Sequence, residues 1–267
     1  MDRPIGMFDS GFGGLTVARA LIDLLPSEHL VYIGDTGRYP YGPRPQHEVR
    51  EFALQLAWSL VREHDVKAVV VACNTASAAA LEQLKAELPV PVIDVVEPGA
   101  RALVAATRTG EVGVIGTVGT IGSGAYLRAV AATGVDVRLT SAACPGFVEF
   151  VERGQTSGEE VTILAERLLA PVKDAGVDTL LLGCTHYPYL ARVISEVMGA
   201  DVTLVSSADE TAFVARDVLA AAGLLRDASA GPATHQFLSS GDISWFADLG
   251  RRLLGPELRD AAEWRHD

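Results

Sequence analysis

The chain has 267 residues, 49% of them hydrophobic and 21% charged, which is enough apolar material to bury a core without disulfides or a structural metal. A formal net charge of −12, with no run of Lys and Arg, argues against nucleic acid or an anionic membrane as the main partner. The opening MDRPIGMFDSGFGG lacks the basic and apolar regions of an export signal, and no apolar stretch approaches spanning length, so a cytoplasmic location is expected.

Residues 3–8 (RPIGMF) predict a first strand and residues 13–25 a first helix, joined by Asp9-Ser10-Gly11-Phe12-Gly13-Gly14. Backbone N–H groups of such a loop suit an anion. The loop lacks the Gly-Lys-Ser/Thr of a P-loop and the glycine spacing of a dinucleotide fingerprint. Asp9 suits a hydrogen bond to a thiol or ammonium group, and equally a helix cap. A second strand (30–34) leads into Asp35–Pro43, where Tyr39 and Tyr41 among Pro and Gly form a rigid loop, either a ligand support or a structural turn. A helix over 47–64, a strand over 68–72 and a helix over 76–88 follow. Further strands are predicted at 91–95, 111–116, 135–140, 178–183 and 201–205, then a surface loop at 226–234, a strand at 235–240 and a helix at 243–255. Apolar strands separated by helices imply an α/β protein with mostly parallel sheets covered on both faces.

The chain also echoes itself. VVVACNTA at 69–76 resembles LLLGCTHY at 180–187, each an apolar strand, a small residue, a Cys and a polar pair. IGMFDS at 5–10 resembles VGVIGT at 112–117 at a similar offset. Two α/β halves are therefore expected, with functional residues where strands end and helices begin. Their expected extents are 1–96 plus 206–267 for the first and 97–205 for the second.

Among the three cysteines, Cys73 and Cys184 sit at such strand ends. A helix N-terminus favours a thiolate, and the polar Asn74 and Thr75 do not belong in a core strand. His186, two residues beyond Cys184, titrates near neutrality and can tune or relay to the thiol. Cys144 lacks polar followers and is read as structural, while Glu149 and Glu152 share a helix and spacing does not choose between them. Inverting an α-carbon requires a proton to leave one face and another to arrive on the opposite face, which two thiols from two halves can provide. Asn74, Thr75, Thr185, Ser10 and the helix N-termini are available to stabilise the carbanion. Pyridoxal phosphate needs a Schiff-base lysine, and none of Lys67, Lys85 and Lys173 lies in a candidate motif, so no cofactor is expected. Zinc at Cys184 and His186 would need two more ligands that no motif supplies, so no metal is expected.

Together FDSGFGG (8–14), GDTGRYPYG (34–42), VACNTAS (71–77), CPGFVEFVERG (144–154) and LLGCTHYPYL (182–191) resemble the cofactor-independent glutamate racemases of the aspartate/glutamate racemase superfamily. The resemblance implies a pair of pseudo-symmetric flavodoxin-like domains with the site between them, usually as a homodimer. It implies interconversion of L- and D-glutamate, with D-glutamate supplying peptidoglycan, cell-wall biogenesis and cell shape. By motif match Cys184 acts on the L enantiomer, supported by Glu152 and His186, and Cys73 on the D enantiomer, supported by Asp9. Ser10, Tyr41, Gly42, Asn74, Thr75, Thr185, Asp9 and His186 match substrate-contacting positions. Gly146 departs from a bulkier family residue, and with the first motif at 8–14 the regulatory N-terminal extension of some relatives is not expected. An aspartate or hydantoin racemase shares the two-cysteine design. A non-catalytic amino-acid-binding protein, or a redox or zinc protein, would be the reading from another class.

Overall fold

The computed structural model describes residues 2–265. The chain runs through β1 (Ile5–Asp9), α1 (Leu15–Leu24), β2 (Leu30–Gly34), α2 (Gln46–Glu63), β3 (Ala68–Val71), α3 (Asn74–Glu87), β4 (Val92–Asp94) and α4 (Val96–Ala106). Next come β5 (Glu111–Gly116), α5 (Val118–Gly122), α6 (Ala125–Ala132), β6 (Arg138–Ala143), α7 (Phe147–Glu152), α8 (Glu159–Asp174), β7 (Thr179–Gly183), α9 (Ala191–Met198) and β8 (Thr203–Ser206). It closes with α10 (Ala208–Ala221), β9 (His235–Ser239), α11 (Ile243–Leu254) and β10 (Ala262–Glu263).

Two parallel sheets form, one ordered β10-β9-β2-β1-β3-β4 and the other β6-β5-β7-β8. The inner order β2-β1-β3-β4 is repeated as β6-β5-β7-β8, which is the flavodoxin-like arrangement expected, twice over. Each sheet with its helices forms a lobe. Strands buried on both faces explain the continuous apolar runs. Alternate residues of β1 serve opposite faces: Ile5 and Met7 pack with Leu15, Leu219 and Phe246, whereas Phe8 packs with Val49, Ala53 and Leu84. In the other lobe Leu180 and Leu182 face α8 and α9, and Leu181 faces α4 and α6. Each such fully buried Leu contributes about 1.5–3 kcal/mol. Among the described residues no helix is long and apolar enough to cross a membrane.

Two elements differ from the sequence reading. The strand predicted at 135–140 lies at Arg138–Ala143, because Gly134 turns the chain at φ 70° and the pairing of Glu111 with Arg138 through Gly116 with Ala143 sets the register. This is an edge strand with little full burial, so its apolar residues are a poor guide to its limits. The two-residue β10 has no apolar run at all, and it is fixed by pairing with β9.

A buried charge cluster ties three distant segments together. Lys67, at the start of β3, donates its ammonium to Glu28, and both side chains are almost wholly buried. The other Glu28 oxygen accepts the Arg226 N–H at 2.7 Å. The Arg226 guanidinium then donates to the carbonyls of Ser27, Ala230 and Gly231 at 2.9 Å, pinning the predicted surface loop. Lys67→Met strands the Glu28 carboxylate, so urea denaturation should show a loss of about 3–5 kcal/mol, much of it recovered in Lys67→Met/Glu28→Leu.

Candidate active site

The C-terminal ends of β1, β3, β5, β6 and β7 converge on one cavity of about 80 Å³, room for a small molecule. The first and third strands of each lobe end there side by side. They present Ser10 and Cys73 from one lobe, and Thr117 and Cys184 from the other. Of the sequence-predicted residues, Asp9, Ser10, Tyr41, Gly42, Cys73, Asn74, Thr75, Cys184, Thr185 and His186 line this cavity. Glu152 stands behind His186, and Glu149 lines the cavity wall.

Cys73 caps α3, its sulfur accepting the Ala76 N–H at 3.5 Å and its thiol donating to the Ser10 hydroxyl at 3.6 Å. The sequence reading expects the helix N-terminus to lower this thiol's pKa. Burial, and next the charge of Asp9, instead push it far up, and the hydrogen bonds from Ala76 and Ser10 only partly offset them. A desolvated thiolate costs more than the helix terminus returns. Asp9 is fully buried; its Oδ2 accepts the Gly14 N–H at 2.9 Å, and its Oδ1 has no hydrogen-bond partner among the described residues.

Cys184 has different company. Its sulfur lies 3.9 Å from His186 Nδ1, and His186 Nε2 lies 3.1 Å from Glu152 Oε1. Burial disfavours the imidazolium, but the Cys184 and Glu152 hydrogen bonds outweigh it and raise His186 to about 10. Burial also raises Glu152, opposed by His186 and by Tyr39. At neutral pH the result is an imidazolium between a sulfur and a carboxyl group.

Polar groups from both lobes meet at the cavity lining and just behind it. Asn74 donates to the Tyr126 hydroxyl at 2.7 Å, while its Oδ1 is unpartnered among the described residues. The hydroxyls of Thr75, Thr117 and Thr120 form a buried triangle with sides of 2.9, 3.0 and 3.3 Å. Gly42 accepts the Gly119 N–H at 2.9 Å, and a side chain at Gly42 would meet Thr117 at 2.9 Å. The Tyr41 hydroxyl points away, donating to buried Asp35, which also accepts from Arg38 at 2.7 Å and Ser240 at 2.6 Å. Sequence reasoning missed Thr117 in the cavity lining, and Thr120 and Tyr126 as the hydrogen-bond partners of Thr75 and Asn74. The echo of IGMFDS in VGVIGT held the signal for Thr117, which occupies the place of Ser10 in the second lobe. Cys144, read as structural, is buried at the end of β6 and lines the cavity, where burial, then the charge of Cys184, push its thiol up to about 12. Among the described residues no group of three or more His, Cys, Asp and Glu is arranged to hold a metal ion.

Residues 14–215 match the Asp/Glu/Hydantoin racemase family. The glutamate racemase of Parafrankia sp. is 57% identical over 255 residues, covering 96% of this chain and 92% of its own. The crystal structure of glutamate racemase isoform RacE1 from Bacillus anthracis superposes with a TM-score of 0.92 at 42% identity, covering 99% of this chain and 97% of its own. Glutamate racemase from Francisella tularensis in complex with D-glutamate gives 0.91 at 33% identity, covering 100% and 98%.

The asymmetry of the thiols can be read by alkylation. With Asp9 as the nearby negative charge, Asp9→Asn should lower the Cys73 pKa and speed its alkylation by iodoacetamide at fixed pH. The gain is about tenfold per unit of pKa, followed by peptide mass mapping across pH 7–10.

Proposed function

The chain belongs to the Asp/Glu/Hydantoin racemase family, and we propose that it interconverts L- and D-glutamate by proton transfer between two thiols. The observation that carries this reading is the pair Cys73 and Cys184, each beyond the third strand of its lobe, both opening onto one small cavity. Starting from the L enantiomer, the Cys184 thiolate takes the α-proton and the C–H electron pair passes to the carbanion, delocalised into the carboxylate. The Cys73 thiol then returns a proton from the other face, leaving Cys73 as thiolate and Cys184 as thiol. The raised Cys73 pKa suits a group that starts protonated, and the His186 imidazolium suits a partner for the Cys184 thiolate. From the D enantiomer the roles reverse.

Substrate recognition follows from the polar lining. The unpartnered acceptors Asp9 Oδ1 and Asn74 Oδ1 suit an ammonium group. The hydroxyls of Ser10, Thr75 and Thr185, with backbone N–H groups at helix starts, suit carboxylates and the negative charge that develops on deprotonation. Tyr41 and Gly42 contribute through their backbone, since the Tyr41 hydroxyl is engaged by Asp35. The reaction needs no cofactor in this reading: Lys67 is tied to Glu28, Lys85 to Glu97 and Lys173 to the Val197 carbonyl, so no lysine is placed as a Schiff base. We further take residues 1–96 plus 206–267 and 97–205 as the two domains, and the protein as a cytoplasmic homodimer supplying D-glutamate for peptidoglycan, cell-wall biogenesis and cell shape.

Incubation in deuterated water, separately with L- and D-glutamate, should place deuterium at the α-carbon of the opposite enantiomer. Faster exchange with aspartate would overturn the substrate assignment. Cys73→Ser and Cys184→Ser should each lower kcat/KM by about 10²–10⁴-fold with unchanged circular dichroism, and parental rates in either variant would remove the paired-thiol mechanism.

A further inference from the structure

The Gly-Phe-Gly turn between β1 and α1 lies against the relay of the opposite lobe. A Cβ placed on Gly13 would fall 2.2 Å from His186 Nδ1, 2.5 Å from its Cε1 and 2.7 Å from Thr185 Oγ1. Nδ1 is the same nitrogen that faces the Cys184 sulfur. The neighbouring Phe12 ring, itself fully buried, lies 5.7 Å from the imidazole centroid. A Cβ on Gly11 would lie 3.5 Å from Glu152 Oε1. Thr16, in the first turn of α1, donates to the Thr185 carbonyl at 3.5 Å. One short segment of the six-stranded lobe therefore touches Thr185, His186 and Glu152 of the four-stranded lobe.

His186 can give way to a Cβ only by leaving its partners. It is 2% exposed and held by Cys184 on one nitrogen, Glu152 on the other and Phe12 beside the ring. Gly13 has an ordinary negative φ, so the need for glycine here is one of space and not of backbone conformation. We propose that Gly13 is a positioning residue: its bare Cα is the surface on which the His186 ring is seated, and it sets the imidazole against Cys184. The approach of the lobes thereby becomes part of the relay geometry. This rests on the two-thiol reading above, with Cys184 serving the L enantiomer.

Gly13→Ala should lower kcat by about 10²-fold with KM within a few fold, since misplacing a catalytic partner by about 1 Å has that effect. Because only the Cys184 step is slowed, the primary isotope effect with α-deuterated L-glutamate should rise, and that with α-deuterated D-glutamate should fall toward unity. A general loss of structure would scale both rates without separating the two isotope effects. In a His186→Ala background, where the ring is gone and only the Thr185 hydroxyl at 2.7 Å remains in the way, most of the effect of Gly13→Ala should vanish. Parental kinetics in Gly13→Ala, parallel isotope effects, or a full additional loss in the His186→Ala background would each overturn the proposal. If Gly13→Ala does not fold, the double variant decides: folding restored by His186→Ala supports the seat, and failure of both overturns it. Failure of the two-thiol reading would be seen separately, as parental rates in Cys73→Ser or Cys184→Ser.

Discussion

In a parallel sheet every strand ends at the same edge, and that rule decides where chemistry sits in this molecule. Each lobe places its first strand beside its third, with the following helices departing to opposite faces of the sheet. The gap left between those helices is the natural recess of the fold. Here the two recesses open on one cavity, so residues 63 positions apart, Ser10 and Cys73, come within hydrogen-bond reach. The same edge of the second lobe brings Thr117 and Cys184 to the same cavity.

Duplicated backbone positions do not carry duplicated electrostatics. Cys73 is surrounded by a helix N-terminus, a hydroxyl and a buried carboxylate, whereas Cys184 has an imidazole backed by a carboxyl group. Both sulfurs are buried, so what distinguishes them is their neighbours. A buried imidazole alone would be neutral; it is the sulfur and Glu152 together that hold its second proton. Unlike neighbours fit the unlike roles proposed for the two sulfurs.

The fold was legible because buried parallel strands leave continuous apolar runs and glycines mark their ends. The positions of Cys73 and Cys184 were legible because each follows such a run and precedes polar residues that no core strand would hold. Legibility failed where tertiary partners decide the outcome. Edge strand β6 took its limits from register with β5, not from its own apolar residues. The Tyr41 hydroxyl turned to Asp35, a partner six residues away that spacing cannot reveal as buried. Thr120 and Tyr126 belong to helices whose local sequence looks ordinary, and they reach Thr75 and Asn74 only because the lobes meet there. The thiol pKa of Cys73 depended on the depth of burial, which no local motif encodes.

The triangle of Thr75, Thr117 and Thr120 gives the seam between the lobes a property that a salt bridge or an amide pair would lack. Every hydroxyl is both donor and acceptor, so three in a ring are equally well bonded with their hydrogens running clockwise or anticlockwise. The joint therefore has no fixed polarity. A change of charge on one side can be answered by rotating three light hydrogens, while the oxygens and the backbones behind them stay where they are.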